Sequence, residues 1–262
     1  MSRLRAIVLY VLIAFGVSWG YWLWLLAQGQ TVGPGSTASH LPGLMGPMVA
    51  ALVVIALTEG RRGLFDIWAR MVRMPTRIGP YLVALAMPPV LAGLVLAIQA
   101  FRGVPLPPLA AFVTYPGLPA GAGFWGLIAV LFLNGYGEET GWRGWLFESV
   151  QPHYNRFGAA LFVALVWMVW HLPLFWLNTS MAALLGPMAL GWAFGLAMGS
   201  FVLAHLYVMT GRSLGAVVAW HVVYNYCVAT EATSGLVAAV VSTAVMIWGA
   251  AVAMQWARSA AR

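Results

Sequence analysis

Eight stretches of this chain, at about 6–27, 41–58, 79–100, 122–140, 157–177, 181–209, 214–230 and 235–256, run almost without a charge. Each is close to the roughly 20 residues that an α-helix needs to cross a hydrocarbon core. A backbone in that medium must satisfy its own N–H and C=O groups, which leaves helices or closed barrels, and barrel strands are only about 10 residues long. The runs therefore predict an all-α polytopic integral membrane protein with about eight transmembrane helices, forming a single membrane domain over residues 1–262. Composition agrees: 62% of residues are hydrophobic and 7% charged, against roughly 25% charged in soluble proteins. The longest connection, 101–121, is rich in Pro and Gly (VPLPPL, YPGLPAG) and reads as an irregular loop. The opening MSRLR and its apolar run lack an A-x-A-like cleavage site and read as a retained first helix. Cys227 is the single cysteine, so no intrachain disulfide forms.

All thirteen basic residues are Arg, and they fall at alternate ends of the runs. Arg3, Arg5, Arg61, Arg62, Arg70, Arg73, Arg77, Arg143, Arg156, Arg212, Arg258 and Arg262 mark one side, and Arg102 alone marks the other. The positive-inside rule then makes both termini cytoplasmic. The protein is expected in the cell membrane as a multi-pass protein, of the bacterial inner-membrane type. RRGLFDIWARMVRM reads as an amphipathic helix on the anionic inner leaflet, with Leu64, Ile67, Trp68, Met71 and Val72 near one face. Lipids, not nucleic acid, are the partners this charge pattern fits.

Six acidic residues are present, and two of them, Glu138 and Glu139, stand side by side at the end of FWGLIAVLFL. An ionisable group at membrane depth is costly and needs a partner or a function. Glu138 and His171 are 33 residues apart, with their midpoint at 154.5 in the polar turn QPHYNR. In an antiparallel hairpin they lie at matched depth. His221 and Asn225 reach a similar level from the end marked by Arg212, and their i, i+4 spacing puts them on one helix face. The bland alternative for the Glu pair is a buried ion pair with Arg143. His205 reads as a hydrogen bond to a neighbouring helix, and His40 and His153 as solvated loop residues. Gly191, Gly195 and Gly199 read as a small-xxx-small packing face. The Trp residues read mostly as belt and packing residues.

A carboxylate beside an imidazole can activate water, and His221 with Asn225 can stabilise the oxyanion formed when water adds to a carbonyl. The reaction that uses both halves is hydrolysis of an amide or ester without a covalent enzyme intermediate. A GxGD-type aspartyl site is excluded because the sole Asp, Asp66, lies in the basic segment, and no Ser pairs with these histidines in a rhomboid-like pattern.

EETGWR (Glu138, Glu139, Arg143), His171 four residues after an aromatic, and HVVYN (His221, Asn225) resemble the EExxxR, FxxxH and HxxxN motifs of the CPBP intramembrane proteases. That family includes type II CAAX prenyl endopeptidases and bacteriocin self-immunity proteins. The resemblance covers about 121–230, which it marks as the catalytic core, and departs from the pattern at Trp167, where the motif has Phe. It implies an intramembrane endopeptidase with Glu138, Glu139, His171, His221 and Asn225 as catalytic residues and Arg143 in support. The substrate it implies is a membrane protein or a lipidated peptide. Zinc held by Glu138, His171 and His221 and a metal-free, carboxylate-activated water fit the residues equally well, although the HExxH pair of zincins is absent. Two other readings stay open: a non-proteolytic membrane scaffold or regulator of the same family, and a proton-coupled transporter, which also keeps Glu and His in its helices.

Overall fold

A computed structural model describes residues 1–119 and 121–260. Among these residues the regular structure is helical, apart from two isolated β-bridges. The long elements are α1 (Arg3–Ala27), α2 (Gly46–Thr58), α3 (Gly60–Val72), α4 (Ile78–Phe101), α5 (Gly123–Gly141), α6 (Arg156–Trp170), α7 (Pro187–Met209), α8 (Leu214–Ala229) and α9 (Leu236–Ala260). Among the described residues six segments are long and apolar enough to cross a membrane: α1, Leu41–Thr58, α4, Arg156–Leu177, α7 and α9. The protein is thus an all-α, multi-pass membrane protein. The two remaining expected spans are α8, a shorter apolar helix of 16 residues, and α5, 19 residues long with the Glu pair near its end.

Membrane helices are apolar all round, so the contacts that fix their rotation are few and specific. Pro88 and Pro89 lie inside α4. A proline removes the bond to the carbonyl four residues back, and the carbonyl freed by Pro88 belongs to Ala84. Trp220 of α8 fills that place, its indole N–H donating to Ala84 O at 3.0 Å. Tyr81 ties the same helices a turn away, donating to Ala216 O at 3.0 Å. The irregular backbone before α2 is held likewise by α1: Trp22 donates to His40 O at 2.8 Å and Ser18 to Gly43 O at 2.7 Å.

The loops at one end of the bundle interlock. Val32 pairs with Asn178 and Pro34 with Pro116 as single bridges, and Glu231 N donates to Thr114 O at 3.1 Å. At the other end lie the Arg-bearing connections. There α3 forms as expected, but its apolar residues divide over two faces. Ile67 is buried against the bundle, whereas Phe65, Trp68 and Val72 are exposed. Arg70 is also buried, donating to Gly144 O and Tyr207 Oη, both at 2.8 Å, and pairing with Asp66 at 2.9 Å. Helix α3 is therefore anchored to the bundle by an arginine that the sequence placed on the solvated side.

The glycine stripe on α7 does not make the close helix contact expected of it. A Cβ at Gly191 or Gly199 would meet nothing within 4 Å, and one at Gly195 would meet the Met246 side chain in ordinary contact, its sulfur at 3.6 Å. The tight α7–α9 approach occurs at Gly249, where a Cβ would lie 2.3 Å from Met198 O. Trp22, Trp142, Trp170 and Trp220 are fully enclosed packing residues, while Trp24, Trp68, Trp125 and Trp176 are exposed.

Candidate active site

Helix α5 carries the Glu pair into close quarters because it has little side chain of its own there. A Cβ at Gly135 would lie 2.9 Å from Val218 of α8, one at Gly137 2.8 Å from Leu44 O, and one at Gly141 2.5 Å from both Pro47 of α2 and Tyr10 Oη. GYGEETG is thus a packing sequence that wedges α5 between α2 and α8. Past Gly141 the helix widens into a π-type segment, Trp142–Phe147, a distortion frequent at functional sites. Arg143 lies within it.

Successive residues of a helix point about 100° apart, so the two carboxylates separate. Glu139 is fully enclosed; its Oε1 accepts from Arg143 Nη1 at 3.1 Å and lies 2.8 Å from His221 Nδ1. Glu138 turns to a cavity of about 540 Å³, whose wall also includes Trp167, His171, His221 and Asn225. The buried ion pair and the cavity carboxylate therefore coexist, one on each residue of the pair.

Trp167 connects the parts. Its indole N–H donates to Glu138 Oε2 at 2.7 Å, its ring lies 4.7 Å from the Arg143 guanidinium carbon, and its carbonyl lies 2.8 Å from His171 Nδ1. A carbonyl only accepts, so His171 Nδ1 carries the proton and the neutral ring keeps its lone pair on Nε2. His171 sits where α6 ends, as its C-cap residue, with the chain turning immediately after it. The expected run 157–177 is broken at that residue, which frees the imidazole from the helix surface. Trp19 of α1 caps the same terminus, donating to Trp170 O at 2.9 Å, and the Trp192 ring of α7 lies 5.6 Å from the His171 ring. On the other wall, a carboxylate on His221 Nδ1 fixes that ring with Nε2 free for the cavity.

Four of the six residues singled out from the sequence, Glu138, His171, His221 and Asn225, meet on one cavity, while Glu139 and Arg143 lie behind its wall. Glu138 meets α6 across the hairpin at Trp167, one turn before His171. The zinc alternative does not fit: among the described residues no group of three or more His, Cys, Asp or Glu side chains is gathered to hold a metal ion, and Glu138, His171 and His221 form none. One Glu138 oxygen is already taken by the indole. His40 is not solvated; it is 7% exposed and lines the same cavity. His153 is exposed as expected. His205 packs near the rings of Trp248 and Trp256, at 6.3 and 6.2 Å, rather than through a side-chain hydrogen bond among the described residues.

This geometry coincides with a sequence match. Residues 119–227 match the family model described as type II CAAX prenyl endopeptidase Rce1-like. A relative described as CAAX prenyl protease 2, from Methanococcus maripaludis, is 30% identical over 181 residues. Over this segment the chain is similar to the type II CAAX prenyl endopeptidases. The alignment with the archaeal relative covers 66% of this chain and 64% of that protein's own length. Sequence reading gave no cavity role to Asn134, within the matched segment four positions before Glu138, to Tyr115, in the loop before α5, or to His40, which it placed in solvent. Asn134 alone left a signal, as a polar residue inside an apolar run.

Proposed function

We propose that the protein is an intramembrane endopeptidase that hydrolyses a peptide bond of a membrane-associated protein or lipidated peptide. The observation that carries this reading is one cavity lined both by a carboxylate with an imidazole, Glu138 and His171, and by a second polar pair, His221 and Asn225. Glu138 and the His171 Nε2 lone pair polarise a water molecule; its oxygen adds to the scissile carbonyl carbon as Glu138 takes a proton. The charge that develops on the carbonyl oxygen is met by the Asn225 amide and by His221 as an imidazolium, whose Nδ1–H stays on Glu139 while its Nε2–H donates to the oxyanion. Collapse breaks the C–N bond, and the proton passes from Glu138 to the leaving nitrogen. One product gains the hydroxyl and the other the hydrogen.

Glu139 and Arg143 act by position: Glu139 orients His221, and Arg143 offsets the charge of Glu139 in a dry setting. The archaeal relative's name specifies a prenylated CAAX tail, so an internally quenched peptide with that ending, presented in micelles, is the first probe. Glu138→Gln keeps shape and removes the base; turnover falls by several orders of magnitude while the melting temperature holds. His221→Ala and Asn225→Ala lower kcat by roughly 10²- to 10³-fold each, the cost of one lost oxyanion donor, with KM little changed. Cleavage by Glu138→Gln at the wild-type rate would refute the assignment.

A further inference from the structure

Asn134 lies on α5 one turn before Glu138, so the two side chains share a helix face. Both line the cavity. Asn134 is 4% exposed, and neither its Oδ1 nor its Nδ2 has a hydrogen-bond partner among the described residues. Buried polar groups are almost always partnered, and an empty amide costs stability that a folded chain keeps only for a reason. The nearby cavity wall is not short of apolar alternatives: Leu174, Leu196 and Leu203 line it too. A carboxamide presents a donor and an acceptor side by side, which is the complement of the C=O and N–H that one extended residue turns to the same side.

We propose that Asn134 binds the backbone unit formed by the N–H and C=O of one extended substrate residue, and so sets the register in which the scissile bond reaches Glu138. This rests on the endopeptidase reading. Four residues of helix rise about 6 Å, and an extended peptide advances about 3.3 Å per residue. The bound unit therefore lies about two residues from the bond that is cleaved. Recognition of this kind reads main chain rather than side chains, and it leaves the substrate's sequence free at that position.

The test compares wild type, Glu138→Gln and Asn134→Leu on the quenched prenylated peptide, together with a series of the same peptide carrying one backbone ester at each position in turn. Leucine keeps the branched shape of asparagine and removes both polar atoms. Asn134→Leu raises KM about tenfold, the size of one buried hydrogen bond, leaves kcat within about twofold, and holds or raises the melting temperature. One ester, about two residues from the cleaved bond, raises the wild-type KM by a similar factor and adds nothing in Asn134→Leu. A lowered melting temperature with equal losses in all kinetic constants would make Asn134 a structural amide, bridged by water, and overturn the proposal. An unchanged KM with Glu138→Gln inactive overturns it while leaving the endopeptidase reading intact. Wild-type protein that leaves the peptide uncut, or Glu138→Gln that cuts it normally, overturns the endopeptidase reading itself and the Asn134 proposal with it.

Discussion

Trp167 occupies the place where the family motif has Phe, and a packing role alone would make the two interchangeable. The indole N–H donates to Glu138 Oε2, a bond phenylalanine cannot make. A hydrogen bond to a charged group contributes about 1.5–3 kcal/mol, so the substitution is not neutral here. Trp167→Phe keeps the ring over Arg143 and frees Glu138 to turn. We expect kcat to fall about 10- to 100-fold with little change in KM, read in the micellar peptidase assay alongside a melting curve. An unchanged kcat would return Trp167 to a packing role. The Glu pair teaches the same lesson at closer range: adjacent in sequence, Glu138 and Glu139 face different surroundings because a helix turns about 100° between them.

Among the elements, α7 and α9 separate two jobs that glycine can do. Gly249 allows backbone contact with Met198 O, whereas Gly191 and Gly199 border open space in the cavity. Gly249→Ala must force the helices apart, and overpacking of this kind costs about 1–3 kcal/mol. Gly199→Ala meets nothing and gains helix propensity, since glycine costs roughly 0.5–1 kcal/mol against alanine in a helix. Thermal melts in detergent should show a clear fall for the first and an unchanged or higher midpoint for the second. Equal destabilisation by both would show that the stripe packs against a neighbour after all. The stripe looked like a packing motif because small residues at i, i+4 serve a helix contact and a cavity wall alike.

Taken whole, the bundle gathers its Arg-bearing connections at one end and the interlocked loops that carry His40 and Tyr115 at the other. From the positive-inside rule we propose that the Arg end is cytoplasmic. In a Cys227→Ser background, His153→Cys should react with a membrane-impermeant thiol reagent only after the membrane is opened, and Leu106→Cys should react in intact cells. Both positions are exposed. The opposite labelling pattern would invert the topology. Hydropathy and charge alone settled that the chain crosses a membrane as helices, because the length of an apolar run and the cost of a charge in hydrocarbon are properties of a linear sequence. They also marked Glu138, His171, His221 and Asn225, because polar groups stand out in an apolar run. What the sequence could not decide is which way each helix faces. In a soluble protein the polar face gives that away, but a membrane helix is apolar toward lipid and toward its neighbours alike. Whether Glu138 or Glu139 meets the cavity was fixed only when Gly135, Gly137 and Gly141 let α5 close against α2 and α8, and His40 and Arg70 were buried only when the loop at Gly117 covered the one and docking of α3 brought the other to Gly144 O and Tyr207.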